Sequence, residues 1–457
     1  MKREAEYGIS IPEVLLPKDI DVATWSVIAC DQYTQDESYW QKAAENAGDK
    51  PSTLNLILPE VYLGKGDKAE RIKKINKTME DYLSKGVFQK AERECVYVER
   101  TIKSNGKIRK GLVVCVDLES YDWREGSKAL IRATEATIKD RIPPRKAIRE
   151  NAAIESPHIM LLVNDKERAL IEKVGSIVKS EESSKLYDGD LMLSGGHIAG
   201  YAVKSEEAVS ALMTGLESVK KANTSKDGDV FMFAVGDGNH SLATAKAVWD
   251  DYKAKTGETD GAKRYALVEI VNIYDEALEF KPIHRVLFNV NAQNCIKYLE
   301  EKLGARSFEV DTFASMLKAD VSGEKGNNFG LVYCDSEQKK HYFVLSTSIS
   351  DLLVSHLQPA LDEYIAKANE KCAEGEKIDI DYIHGEEDLL KLADRTTLCD
   401  RTTLCDRTTL CVFLPAIEKD NFFDTINNRG SLPRKSFSMG EADEKRFYLE
   451  CRLLKQA

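Results

Sequence analysis

An α/β fold with mixed sheets is what this sequence predicts, on three observations. Helical and strand-like patterns alternate nearly from end to end, the arrangement that packs helices onto sheets. An Asn-Gly pair between two apolar runs marks an antiparallel hairpin within that alternation. A hydrophobic share of 42% against a charged share of 31% suits a globular chain with a sizeable core.

Taken in order, Trp25–Cys30 reads as a buried strand and Asp36–Ala47 as the helix behind it. Asp67–Ser84 follows as an amphipathic helix, with Ile72, Ile75, Met79 and Tyr82 on one face. The hairpin joins Cys95–Ile102 to Ile108–Val116 through Ser104-Asn105-Gly106, whose Asn-Gly supplies left-handed turn residues. Gly111–Asp117, apolar nearly throughout, should be central. Residues 127–165 hold a helix-like run, a Pro143-Pro144 break, a short basic helix and the strand His158–Asn164. A helix over Lys166–Lys179, strands near Leu191 and at Ile198–Val203, and a helix over Glu206–Lys221 come next. The strand Val230–Val235 leads through a glycine turn into the helix Ser241–Lys255, and Arg264–Ile273 is strongly β-forming. From residue 291 the pattern restarts with a helix, a hairpin of Gly330–Cys334 with His341–Leu345, a long helix and closing strands. The predicted organisation is therefore an N-terminal region 1–126, a core 127–290 and a C-terminal region 291–457.

Asp394–Cys411 is Asp-Arg-Thr-Thr-Leu-Cys three times over. A strand of that whole length would far exceed the usual ~5–6 residues. The third copy continues into Val412-Phe413-Leu414 and is the one that fits a buried strand, leaving 394–405 to loop out. Loop lengthening costs only roughly 0.6 kcal/mol per doubling. Deleting Asp394–Cys405 is expected to leave the fold intact; a loss of several kcal/mol in a denaturant titration would place the repeats in the core.

The formal net charge of −11 argues against a nucleic-acid partner, whose phosphates call for a basic surface. No apolar run is long enough for a membrane helix, and the N-terminal residues carry no apolar secretory core. The ten cysteines are scattered without a C-x-x-C pair, as in a reducing cytoplasm. No H-E-x-x-H or similar spacing points to a protein-held zinc.

The chemistry concentrates at Gly236-Asp237-Gly238-Asn239-His240-Ser241, between an apolar strand and an amphipathic helix. Free N–H groups and the helix dipole favour an anion such as phosphate there. The two glycines allow a sharp turn and close approach of a ligand, Asp237 adds a carboxylate and His240 an imidazole, and Asn239 and Ser241 are polar caps. The run is neither G-x-x-x-x-G-K-[ST] nor G-x-G-x-x-G, since Ser241 stands where a third glycine belongs. A second cluster is Arg132, Glu135, Arg141, Arg145 and Arg149, whose guanidinium groups suit a phosphate or carboxylate; by itself it reads rather as an ordinary solvated helix with internal ion pairs. His284-Arg285 and Lys435-Ser436 sit at strand edges, where such residues are usually structural.

Around Val235–Ala245 the sequence resembles the bacterial and archaeal family called domain of unknown function 1015. That family's hallmark is a strand, Ala-Asp-Gly-His-His-Arg and a helix. Here Asn239 replaces the first His and Ser241 the Arg. The stretches Trp25–Gln32, Arg132–Arg149, Pro282-Ile283-His284-Arg285 and Leu432-Pro433-Arg434-Lys435-Ser436 agree as well, so the resemblance covers essentially the whole chain except 394–405.

The resemblance implies a core similar to the ParB/sulfiredoxin-like group, which includes kinases of free serine, with added N- and C-terminal α/β regions. It implies a nucleotide-dependent phosphotransferase using ATP or ADP with Mg²⁺ on a small metabolite, L-serine being the first to try. Gly236, Gly238, Asn239 and Ser241 would cradle phosphate and His240 would contact it. Asp237 or Glu135 would take the hydroxyl proton while the other held Mg²⁺. Arg132, Arg141, Arg145 or Lys435 would supply the charge that Ser241 lacks, with His284 and Arg285 also lining the nucleotide site. Gly236–Asn239 should then face a cavity shared by Arg132, Glu135 and one of Arg141 and Arg145. A nucleotide hydrolase switch and a non-catalytic nucleotide- or metabolite-binding regulator are the alternatives. Oligomeric state is not legible.

Overall fold

The computed structural model describes residues 4–321, 327–370, 372–373, 376–393 and 407–455. Two compact units appear where three regions were expected. The first is Met1–Glu279 together with Met439–Ala457, and the second is Phe280–Ser438. The α/β class with mixed sheets is the class observed.

The first unit is built on a ten-stranded sheet. Its main path runs through Lys185–Asp190, His197–Val203, Cys95–Thr101, Ile108–Asp117, Tyr265–Asn272, Met160–Val163, Phe233–Asp237, Ile131–Ala133 and Tyr121–Asp122. Cys95–Thr101 and Ile108–Asp117 pair antiparallel about the Asn-Gly turn, where Gly106 has φ +69°. Ile108–Asp117 is central and buried along nearly its whole length. Apolar side chains fill both faces, as a covered sheet requires.

Several local expectations shift. The run after residue 127 forms a strand, Ile131–Ala133, in parallel register with Phe233–Val235, because all three residues are buried in the sheet. Trp25–Cys30 divides into the end of a helical turn, Val22–Trp25, and a two-residue strand, Val27–Ile28. Asp21 caps that turn by accepting from the Thr24 N–H and hydroxyl, both at 2.8 Å. The Lys166–Lys179 helix shortens to Ile171–Val178 behind a turn in which Asp165 accepts from Leu170 N at 2.9 Å.

The returning residues 439–455 enter the first unit as an extended thread. Phe447–Tyr448 pairs with Val27–Ile28, and Arg452–Leu453 with Ile154–Glu155. Arg446 is buried between Glu269 and Glu450, which are buried too, and donates through Nε to Pro157 O at 3.0 Å.

The second unit carries a seven-stranded sheet whose main path is Arg306–Val310, Lys340–Ser346, Asn328–Cys334, Thr408–Phe413, Lys281–Val290 and Asp379–His384. The third repeat copy supplies the buried strand Thr408–Phe413. The proposed loop at 394–405 lies outside the described residues.

Candidate functional site

Sheet direction assembles the site. Ile131–Ala133 and Phe233–Asp237 are parallel and both end at one edge, and the antiparallel Met160–Val163 begins there. The segments after Ala133, after Asp237 and before Met160 therefore converge. The helix Asn239–Thr256, hereafter the site helix, starts at this edge.

Its first residues explain the glycines differently. Gly238, the N-cap, has φ +84°, and a Cβ there would lie 3.0 Å from Ile159 Cγ1. Gly236 serves packing, since its Cβ would lie 2.5 Å from Met439 Sδ. Among the described residues no side chain caps the helix, which leaves its leading N–H groups for an anion. Asn239 is not a cap. It accepts from Thr134 N at 3.2 Å and donates to Thr134 Oγ1 at 3.2 Å, tying the helix to the neighbouring loop.

His240 Nε2 accepts from Ile138 N at 3.3 Å, which puts the ring proton on Nδ1. Burial, reinforced by the positive charges of Arg141 and Arg145, lowers its pKa to about 4. The imidazole is neutral at pH 7. A histidine depressed from 6.5 in the folded state contributes stability that is fully present above pH 6.5 and is lost as pH falls toward 4. His240→Gln is expected to flatten the pH dependence of urea stability in that window; an unchanged slope would contradict the neutral, buried ring.

Asp237 accepts from Gly238 N at 3.0 Å and lies 3.2 Å from Lys445 Nζ. Lys445 thus brings a cation to the turn from the end of the chain. Arg145 pairs with Glu60 and donates to Arg141 O at 3.1 Å. Glu135 is half-buried on the loop leaving Ala133. Arg132 does not point to this edge. Its guanidinium donates to Ala129 O at 2.8 Å and Val230 O at 3.3 Å, before the strands begin, and stacks 4.5 Å from the Phe231 ring.

The second unit holds the remaining expected residues. His284 is buried and accepts from Leu414 N at 3.1 Å, and burial with the Arg285 charge lowers its pKa to about 4. Arg285, also buried, donates to Gln358 Oε1 at 2.9 Å, and Lys435 is exposed. Both His284 and Arg285 have local structural partners.

A cavity of about 150 Å³ opens beside the site helix. Ser241 and Arg145 line it, as do Leu58, Met79, Ile148 and Ile154. Sequence reasoning missed its polar wall. Ser241 Oγ lies 2.8 Å from His158 Nε2, His158 Nδ1 lies 2.9 Å from Tyr448 Oη, and Cys30 N donates to that same oxygen at 3.2 Å. Burial pushes the Cys30 thiol up to about 12, so it is no nucleophile at neutral pH. The one signal for His158 was its position just before a buried strand. Among the described residues no His/Cys/Asp/Glu group could by itself hold a metal, and no helix is long and apolar enough to cross a membrane.

A family model described as a protein of unknown function, DUF1015, matches residues 14–364. No curated protein matches. Among solved structures, a conserved hypothetical protein from Pyrococcus furiosus is similar at 12% identity and a TM-score of 0.32, over 74% of this chain and 90% of that one. A free serine kinase in complex with AMP is similar at 12% identity and a TM-score of 0.33, over 74% and 87%. SbnI with C-terminal truncation from Staphylococcus aureus gives 10% identity and a TM-score of 0.30, over 74% and 82%.

Proposed function

The chain belongs to the DUF1015 family, and from that premise we propose that it is a nucleotide-dependent phosphotransferase acting on a small metabolite. One observation carries the reading: the site helix begins uncapped, beside a neutral His240 and the cations Arg141, Arg145 and Lys445. Phosphoryl transfer asks mainly for positioning and charge stabilisation, which such an arrangement supplies.

The N–H groups at Asn239, His240 and Ser241 hold phosphate oxygens, and His240 donates from Nδ1. Arg141 and Lys445 offset the phosphate charge, the part that Ser241 cannot play. Mg²⁺ arriving with the nucleotide needs only one or two protein carboxylates. Glu135, half-buried on the converging loop, and Asp237, whose carboxylate serves Gly238 N and Lys445, are the two carboxylates for that place and for the role of proton acceptor. That engagement of Asp237 also favours a second reading, a regulator that binds nucleotide without transferring phosphate.

The test incubates the purified chain with ATP or ADP, Mg²⁺ and a metabolite panel that includes L-serine, and follows phosphorylated product by mass spectrometry. Thermal shifts with nucleotide alone run alongside, since a ligand at 100 times its Kd adds about 2.7 kcal/mol. Product formation supports the transferase. A shift without product across the panel supports the regulator, and no shift with any nucleotide removes both.

A further inference from the structure

The phosphate reading leaves the cavity beside the site helix without a role. Resting on that reading, we propose that this cavity seats the second substrate, a compact apolar molecule of about six carbons with an oxygen acceptor at one end. A dry cavity of about 150 Å³ in another protein is known to take a benzene ring, which sets the size. Leu58, Met79, Ile148 and Ile154 give the walls an apolar character. The charges around the lining do not cancel: Arg145 pairs with Glu60, but Glu155 is shared by Arg149 and Arg452, which leaves positive charge in excess. The ammonium group of free serine would give up its hydration there against that excess of positive charge, whereas an anionic or neutral oxygen would not.

The polar wall fixes which end of the ligand it meets. Cys30 N–H donates to Tyr448 Oη. Tyr448 is 2% exposed, so its own hydrogen needs an acceptor, and His158 Nδ1 at 2.9 Å is a far stronger one than the Cys30 sulfur that also lies against the hydroxyl. The His158 proton is then on Nε2 and donates to Ser241 Oγ at 2.8 Å. Ser241 has no other hydrogen-bond partner among the described residues, which leaves its hydroxyl hydrogen for the cavity. Ser241 is thus a donor awaiting a ligand oxygen. It is not a nucleophile paired with a base, because in this tautomer Nε2 is already protonated.

The experiment titrates the full chain with isocaproate, isohexylamine and L-serine by calorimetry, with and without ADP and Mg²⁺. Isocaproate is expected to bind at least tenfold more tightly than L-serine, and isohexylamine, whose ammonium offers donors only, not to bind. Ser241→Ala should weaken isocaproate about tenfold. Ala152→Phe, which fills the cavity, should abolish its binding. Circular dichroism on both variants identifies any that fail to fold, and either one alone suffices. Equal binding of L-serine, or of isocaproate by a folded variant, would overturn the pocket. Isocaproate binding by a chain that binds no nucleotide would uphold the pocket and overturn the transferase.

Discussion

Arg446→Met is expected to destabilise the first unit by about 3–5 kcal/mol, the usual cost of removing one partner from a buried ion pair. Arg446, Glu269 and Glu450 are 2%, 1% and 0% exposed, so neither carboxylate can recover its hydration once the guanidinium is gone. Arg109 Nε is 3.8 Å from Glu269 Oε1 and replaces only part of that attraction. The measurement is a urea titration read by Trp fluorescence. Adding Glu269→Gln should restore part of the loss, because it removes one of the stranded charges. Arg124→Met, at an exposed pair with Asp122, should leave the midpoint unchanged. If Arg446→Met unfolds at the wild-type urea concentration, this cluster does not hold the unit together.

The largest effect on ligand binding is expected from Gly238→Ala. An L-residue at φ +84° costs roughly 1–2 kcal/mol in backbone strain. The new methyl would also press on Ile159 at 3.0 Å and push the start of the site helix off its position. Misplacing a ligand-orienting group by about 1 Å can cost ~10²-fold, and a loss of nucleotide affinity or turnover of that size is predicted. Gly228→Ala is the control. Gly228 has φ +85° and nothing within 4 Å of its would-be Cβ, so it shares the backbone strain without the clash. Equal nucleotide affinity in the two variants would mean that the helix N-terminus is not the phosphate site.

The strand, turn and helix around Gly238 were legible because they are written locally. An apolar run, two glycines and a long helical pattern place the elements to within a few residues. Ile131–Ala133 was not legible, since three residues carry no periodicity and become a strand only beside Phe233–Val235. Asn239 looks like a cap in sequence because short polar side chains usually are, and only the neighbouring loop shows what it binds. His158, Lys445 and Tyr448 were passed over for a different reason. Their partners lie far along the chain, as the separation of 290 positions from His158 to Tyr448 shows, and the two-residue strands that carry the thread leave no pattern.

The return of residues 439–455 also sets an order of events during synthesis. Roughly 160 residues of the second unit must leave the ribosome before Arg446 and Tyr448 do. At about 5–20 residues per second that is an interval of roughly 8–32 s. Throughout it, Glu269 has been made without its guanidinium partner and His158 without its tyrosine. A nascent chain arrested before residue 439 holds every residue of the glycine turn yet can complete neither the buried ion cluster nor the hydrogen-bond relay. The final stretch of translation, rather than the motif, decides when the site exists.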